Sequence, residues 1–224
     1  MNKSFVKVLT VFRKDILAEL RTREIVVSVL VFALLVLVIF SFAFDMGAGM
    51  GETVAPGILW VALTFGGVIG FNRIFAMEKE NSRLEGLMLC PVDRAVIYWG
   101  KLAGSFTFML AVAVIITPVF LVLFNLPLLL PRLALVIVLT VIGFAAVGTL
   151  FSALAINTRA RDIMLPILFL PIVVPVIVAA VKATAPVLAG APWADMLTWL
   201  QVIIAFDIIY LVVATLVFEF VIEE

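Results

Sequence analysis

The chain has 224 residues, 66% of them hydrophobic, and a mean hydropathy of +1.33; a soluble domain, usually about 45–50% apolar, cannot bury that excess in one core. Fifteen basic residues balance fifteen acidic ones, so no field of the kind that draws nucleic acid arises. One cysteine, Cys90, and no histidine exclude an internal disulfide and a multi-cysteine metal or cluster site, together with the commonest general base, zinc ligand and haem ligand. The composition is that of a polytopic membrane protein.

Residues 1–24 come first and are too long and polar a lead for a cleavable signal peptide. Phe5, Val8, Leu9, Phe12, Ile16 and Leu20 recur at helical spacing, while Lys7, Lys14 and Arg21 recur every seven residues on another face. Glu19 and Arg23 stand in the favourable order for a pair four apart. The pattern predicts an amphipathic helix in the membrane interface. As a plain basic anchor or as a lever along the membrane surface, it reads equally well.

Six apolar spans follow, at about Ile25–Phe44, Val54–Met77, Tyr98–Phe124, Leu133–Ile156, Ile163–Val181 and Met196–Ile222. They predict an all-α integral membrane protein, a six-helix transmembrane bundle in a single domain covering residues 1–224. Thirteen of the fifteen lysines and arginines fall in the N-terminal segment, between spans two and three, or between spans four and five; Arg132 and Lys182 are the other two. By the positive-inside rule, both termini and the two charged connections face the cytoplasm.

Between spans two and three lies a polar island, Glu78–Lys101, which holds eight of the thirty charged residues. Ser82-x-x-Glu85 has the form of a capping box. Leu84, Leu87 and Met88 make one apolar stripe, Pro91 ends the helix, and Asp93 is placed to cap the next one. A short capped helix with such a stripe suits a groove on another protein. It also suits folding back onto its own bundle or the membrane. The charges Glu78, Lys79, Glu80, Arg83 and Glu85 around the stripe favour a protein partner over lipid.

Trp60-Val61-Ala62, Asn72-Arg73-Ile74-Phe75-Ala76-Met77-Glu78 and Leu84-Glu85-Gly86-Leu87-Met88-Leu89-Cys90-Pro91, with Phe12-Arg13-Lys14-Asp15 and Gly100-Lys101-Leu102, resemble the CcmB family. That family supplies the membrane permease subunit of the cytochrome c maturation ABC transporter, and the resemblance spans essentially the whole chain. Cys90 stands where the family's serine is expected. The resemblance implies a bundle of ABC-2-like permease type in the bacterial inner membrane, with a CcmA-like ATPase docked on its cytoplasmic face and CcmC-like and CcmD-like membrane subunits as further partners. No G-x-x-x-x-G-K-[ST] loop occurs, since Gly100-Lys101 is followed by Leu102, so ATP would act only through the partner. Under this resemblance residues 78–94 look like the coupling helix, carried by Glu78, Arg83, Leu84, Glu85, Leu87, Met88, Pro91, Asp93 and Arg94. Arg159, Arg161 and Asp162 offer a second cytoplasmic contact, or a simple basic connector. Haem would be the transported or handled substrate, with no cofactor bound directly.

Within the membrane, Asp207 sits near the middle of span six and must face protein or water. It reads as a lining group or cation partner, or as an acid hydrogen-bonded to a neighbouring helix. Pro166, Pro171 and Pro175 predict a kinked or broken span five. Gly66-x-x-x-Gly70 and Gly100-x-x-x-Gly104 permit close helix packing. Lys101 is expected to reach out to the interface, and Trp99, Trp193 and Trp199 to anchor span ends. Haem ligation would rest only on Tyr98, Tyr210 or a methionine. The competing functions are a stand-alone secondary transporter, for which Asp207 is thin support, and a membrane scaffold for haem handling that moves nothing itself. An intramembrane enzyme lacks both a second central acid and a nucleophile paired with a base.

Overall fold

A computed structural model describes residues 3–22, 24–44, 51–80, 94–126, 131–155 and 161–221. Among these are seven helices: α1 Lys3–Thr22, α2 Glu24–Ala43, α3 Gly51–Glu80, α4 Arg94–Leu123, α5 Pro131–Ala155, α6 Arg161–Leu188 and α7 Ala194–Val221. The last six are long and apolar enough to cross a membrane, since backbone polar groups in lipid must be satisfied within the helix. Cross-helix contacts show successive spans alternating in direction, so α1, the last turns of α3 and α5 and the first turns of α4 and α6 lie at one end of the bundle.

Helices α3 and α5 form its centre. In each, 72% of the membrane-spanning stretch is buried, against 22% in α2 and 28% in α7. Small residues explain the central place of α5: Gly143, Ala145, Ala146 and Gly148 are all buried and let neighbours close in. A Cβ on Gly148 would meet the Phe71 ring at 2.5 Å. Four fully buried rings then tie three helices together. Trp60 on α3 stands edge-on to Phe144 on α5 at 6.4 Å, Phe144 meets Phe169 on α6 at 5.8 Å, and Phe169 meets Phe71 on α3 at 5.7 Å. The Trp60 indole N–H donates to Thr184 Oγ1 at 2.9 Å, and that hydroxyl donates to the Ala180 carbonyl at 2.7 Å. A buried polar atom is thereby satisfied without water.

Among the described residues two have a left-handed backbone, and both end helices at the opposite end of the molecule. Asn125 (φ 52°) follows α4, with Leu126 N–H donating to the Leu121 carbonyl at 2.8 Å. Gly190 (φ 66°) follows α6, with Ala191 N–H donating to the Pro186 carbonyl at 2.9 Å. Both are the six-to-one closure that satisfies the last carbonyls of a helix. Arg132 locks this end, donating to the Ala191 carbonyl at 2.7 Å with its guanidinium 5.2 Å from the Trp193 ring.

Three expectations are revised. Helix α6 runs from Arg161 to Leu188 through four prolines, so of the kink or break expected it shows no break, and it ends seven residues beyond the Val181 boundary; each proline removes one hydrogen bond, and neighbouring helices can re-satisfy the freed groups. Lys101 is 2% exposed, its ammonium enclosed by protein instead of reaching the interface. And α1 packs chiefly on α4, with Val11 buried, whereas Leu9 of the anticipated stripe is 48% exposed.

Candidate functional site

The candidate residues named from the charges and the polar island converge on one end of the bundle, where the helix ends are described. Helix α3 continues past its apolar stretch to Glu80, so Glu78 lies in its last turn. Helix α4 begins at Arg94, where the sequence placed the start of a helix after Asp93, and Arg94 itself is half-buried. Arg83, Leu84, Glu85, Leu87, Met88, Pro91 and Asp93 lie outside the described residues, as does Arg159. Arg161 and Asp162 form the first turn of α6. The topology therefore brings Glu78, Arg94, Arg161 and Asp162 to one end, where α3, α4 and α6 begin or finish.

Beneath this end lies a second core that the sequence does not single out. Ile97, Tyr98 and Leu102 of α4 pack with Ala145, Ala146, Leu150 and Ala153 of α5 and with Ala214 and Phe218 of α7. Tyr98 is fully buried, its ring 5.1 Å from Phe218 and its hydroxyl donating to the Ala146 carbonyl at 3.4 Å. Close by, Thr149 donates to Ser105 at 3.0 Å and Ser152 to the Phe71 carbonyl at 3.2 Å, both buried. These bonds join α5 to α4 and to α3 just inside the charged end. The alanines of α5 were the available signal: they are small residues at helical spacing, but such spacing is common in membrane helices.

Tyr98 is thus committed to packing and does not present a ligand. Tyr210 stacks on Phe206 with ring centroids 4.4 Å apart, and Met109 is buried against Gly67. Asp207 is 5% exposed and faces α5, where its Oδ1 lies 2.5 Å from the point a Cβ on Gly143 would occupy. Among the described residues Oδ1 has no hydrogen-bond donor. The carboxyl faces protein, and Gly143 makes the room for it.

A family model described as CcmB protein matches residues 6–223. The chain belongs to the CcmB family. Among curated relatives, Heme exporter protein B of Pseudomonas aeruginosa is 26% identical over 172 residues, 76% of this chain and 77% of the relative. The protein of the same name from Paracoccus denitrificans is 28% identical over 193 residues, 83% and 84% of the two chains. That from Rhodobacter capsulatus is 30% identical over 153 residues, 66% and 69%. For a CcmB-family chain the six spans are those of a multi-pass membrane protein, and the family match extends across all of them as well as the charged end.

Proposed function

We propose that this chain is the permease subunit of an ABC haem-export system of cytochrome c maturation, driven by a separate ATPase seated on residues 78–94. The supporting observation is the family match over residues 6–223, with relatives named Heme exporter protein B on most of their length. The sequence carries no phosphate-binding loop, so hydrolysis belongs to a CcmA-like partner. CcmC-like and CcmD-like membrane subunits complete the assembly. The chain resides in the bacterial inner membrane with both termini cytoplasmic, on the strength of the lysine and arginine distribution.

The coupling works through rigid elements. The stripe Leu84, Leu87 and Met88 fills a groove on the ATPase, and Glu78, Arg83, Glu85, Asp93 and Arg94 set its orientation by complementary charge. Arg159, Arg161 and Asp162 form a second contact at the same end. Rotation of the ATPase then tilts the ends of α3 and α4, and the Tyr98 core carries the tilt to α5 and α7. A stand-alone transporter finds less support, because it would need an ion relay and Asp207 is a single buried acid.

Purification in mild detergent tests the reading. The wild type is expected to retain its ATPase, while the chain carrying Leu84→Asp and Leu87→Asp loses it. Equal ATPase in both preparations, or none with the wild type, would refute the coupling assignment.

A further inference from the structure

Helix α1 is not merely laid against the bundle. A Cβ built on Gly100 of α4 would stand 2.7 Å from both Cβ and Cγ1 of Val11 and 3.3 Å from the Val8 carbonyl oxygen. Carbon atoms in contact prefer about 3.5–4.0 Å. The two helices therefore approach so closely that any residue but glycine at position 100 must push α1 away, and one of the obstructing atoms belongs to α1's backbone. Gly100 is buried beneath Val11, itself 8% exposed. Elsewhere α1 presents Val6, Leu9 and Leu17 outward, each more than 40% exposed, together with exposed Lys7 and Arg13. That mixed face suits anionic lipid headgroups.

Gly100 lies six residues into α4, roughly 9 Å along the helix from its first residue Arg94. Two turns of one helix thus receive both α1 and the chain leaving residues 81–93. On the neighbouring register, Tyr98 binds α4 to α5 and α7. We propose that Gly100 is a positioning residue for coupling: it seats α1 on α4, so that the interface helix and the ATPase-contacting segment displace α4 as one body. This inference rests on the coupling reading above. It assigns to a single glycine the choice between α1 as a loose anchor and α1 as part of the moving unit.

The test uses the full chain co-expressed with its ATPase, in a Cys90→Ser background carrying spin labels at Thr10→Cys on α1 and Ala111→Cys on α4. Gly100→Ala is expected to broaden and lengthen the label distance. It lowers c-type cytochrome assembly by about threefold or more, while membrane level and ATPase co-purification stay unchanged. Val11→Leu, which crowds the same seat from α1 and leaves every membrane span intact, is expected to do the same. Val11→Gly with Gly100→Ala moves the missing Cβ from α4 to α1 and should restore both distance and assembly to the level of Val11→Gly alone, a compensation that only direct contact gives. The proposal is overturned by unchanged distance and assembly in Gly100→Ala and Val11→Leu, by a separated α1 with full assembly, or by a double variant no better than Gly100→Ala. Failure of the coupling reading registers elsewhere, as ATPase retained by the Leu84→Asp, Leu87→Asp chain.

Discussion

At the scale of single residues, glycines separate positions that tolerate a side chain from those that do not. Gly57 of α3 has nothing within 4 Å of an added Cβ, whereas Gly148 faces the Phe71 ring at 2.5 Å. Gly57→Ala should stabilise the protein by about 0.5–1 kcal/mol through helix preference. Gly148→Ala should destabilise it by about 1–3 kcal/mol through overpacking. Thermal denaturation in detergent measures both, and the same sign for the two would contradict the packing described. Asp207 belongs to this scale as well. Its burial follows from the sequence, because a carboxyl among seventeen Leu, Ile, Val and Phe residues cannot face lipid cheaply. Its seat on Gly143 does not follow, because no spacing rule pairs α5 with α7. Asp207→Asn preserves the shape and alters the chemistry. If the acid acts in transport, assembly of c-type cytochromes falls while the membrane level of the chain holds; full assembly in that variant would assign Asp207 to packing.

At the scale of elements, hydropathy located all six spans to within a few residues at most ends, since lipid thickness sets a length that composition reports. Helix ends escaped it wherever a helix outlasts its apolar stretch. Helix α3 carries polar residues out to Glu80, and α6 passes the exposed Lys182 to reach Leu188. Side-chain pairing between elements was not legible either. Nothing in the sequence assigns Trp60 a partner, yet it is fully buried and bonded to Thr184, 124 residues away. Trp60→Phe should cost about 0.5–1.5 kcal/mol, the net worth of one hydrogen bond. Trp60→Ala should cost about 3–5 kcal/mol by opening a cavity among Phe144 and its neighbours. Denaturant titration of the purified chain orders the two; comparable losses would mean that the ring ladder is not what joins α3, α5 and α6. The docking of α1 on α4 likewise escapes periodicity, because its signal is a glycine 89 residues after Val11.

For the whole molecule, charge asymmetry and span number predict an orientation, and the structure groups α1, the last turns of α3 and α5 and the first turns of α4 and α6 at one end. The opposite end is closed by Asn125, Gly190 and Arg132. A membrane-impermeant thiol reagent added to intact spheroplasts should label Asn125→Cys in a Cys90→Ser background and leave native Cys90 of the parent unlabelled until the cells are opened. The reverse pattern would invert the topology. A dense centre of Trp60, Phe144, Phe169 and Phe71 ties α3, α5 and α6 together, and under the proposed function force enters at the junction of residues 78–94 between α3 and α4. The chain supplies its own probe of that junction, for its single cysteine, Cys90, lies within it. A photoreactive cross-linker placed on Cys90 in native membranes should join this chain to a soluble ATP-binding subunit, with the yield changing when nucleotide is added. Adducts confined to lipid or to the chain's own helices would contradict the account.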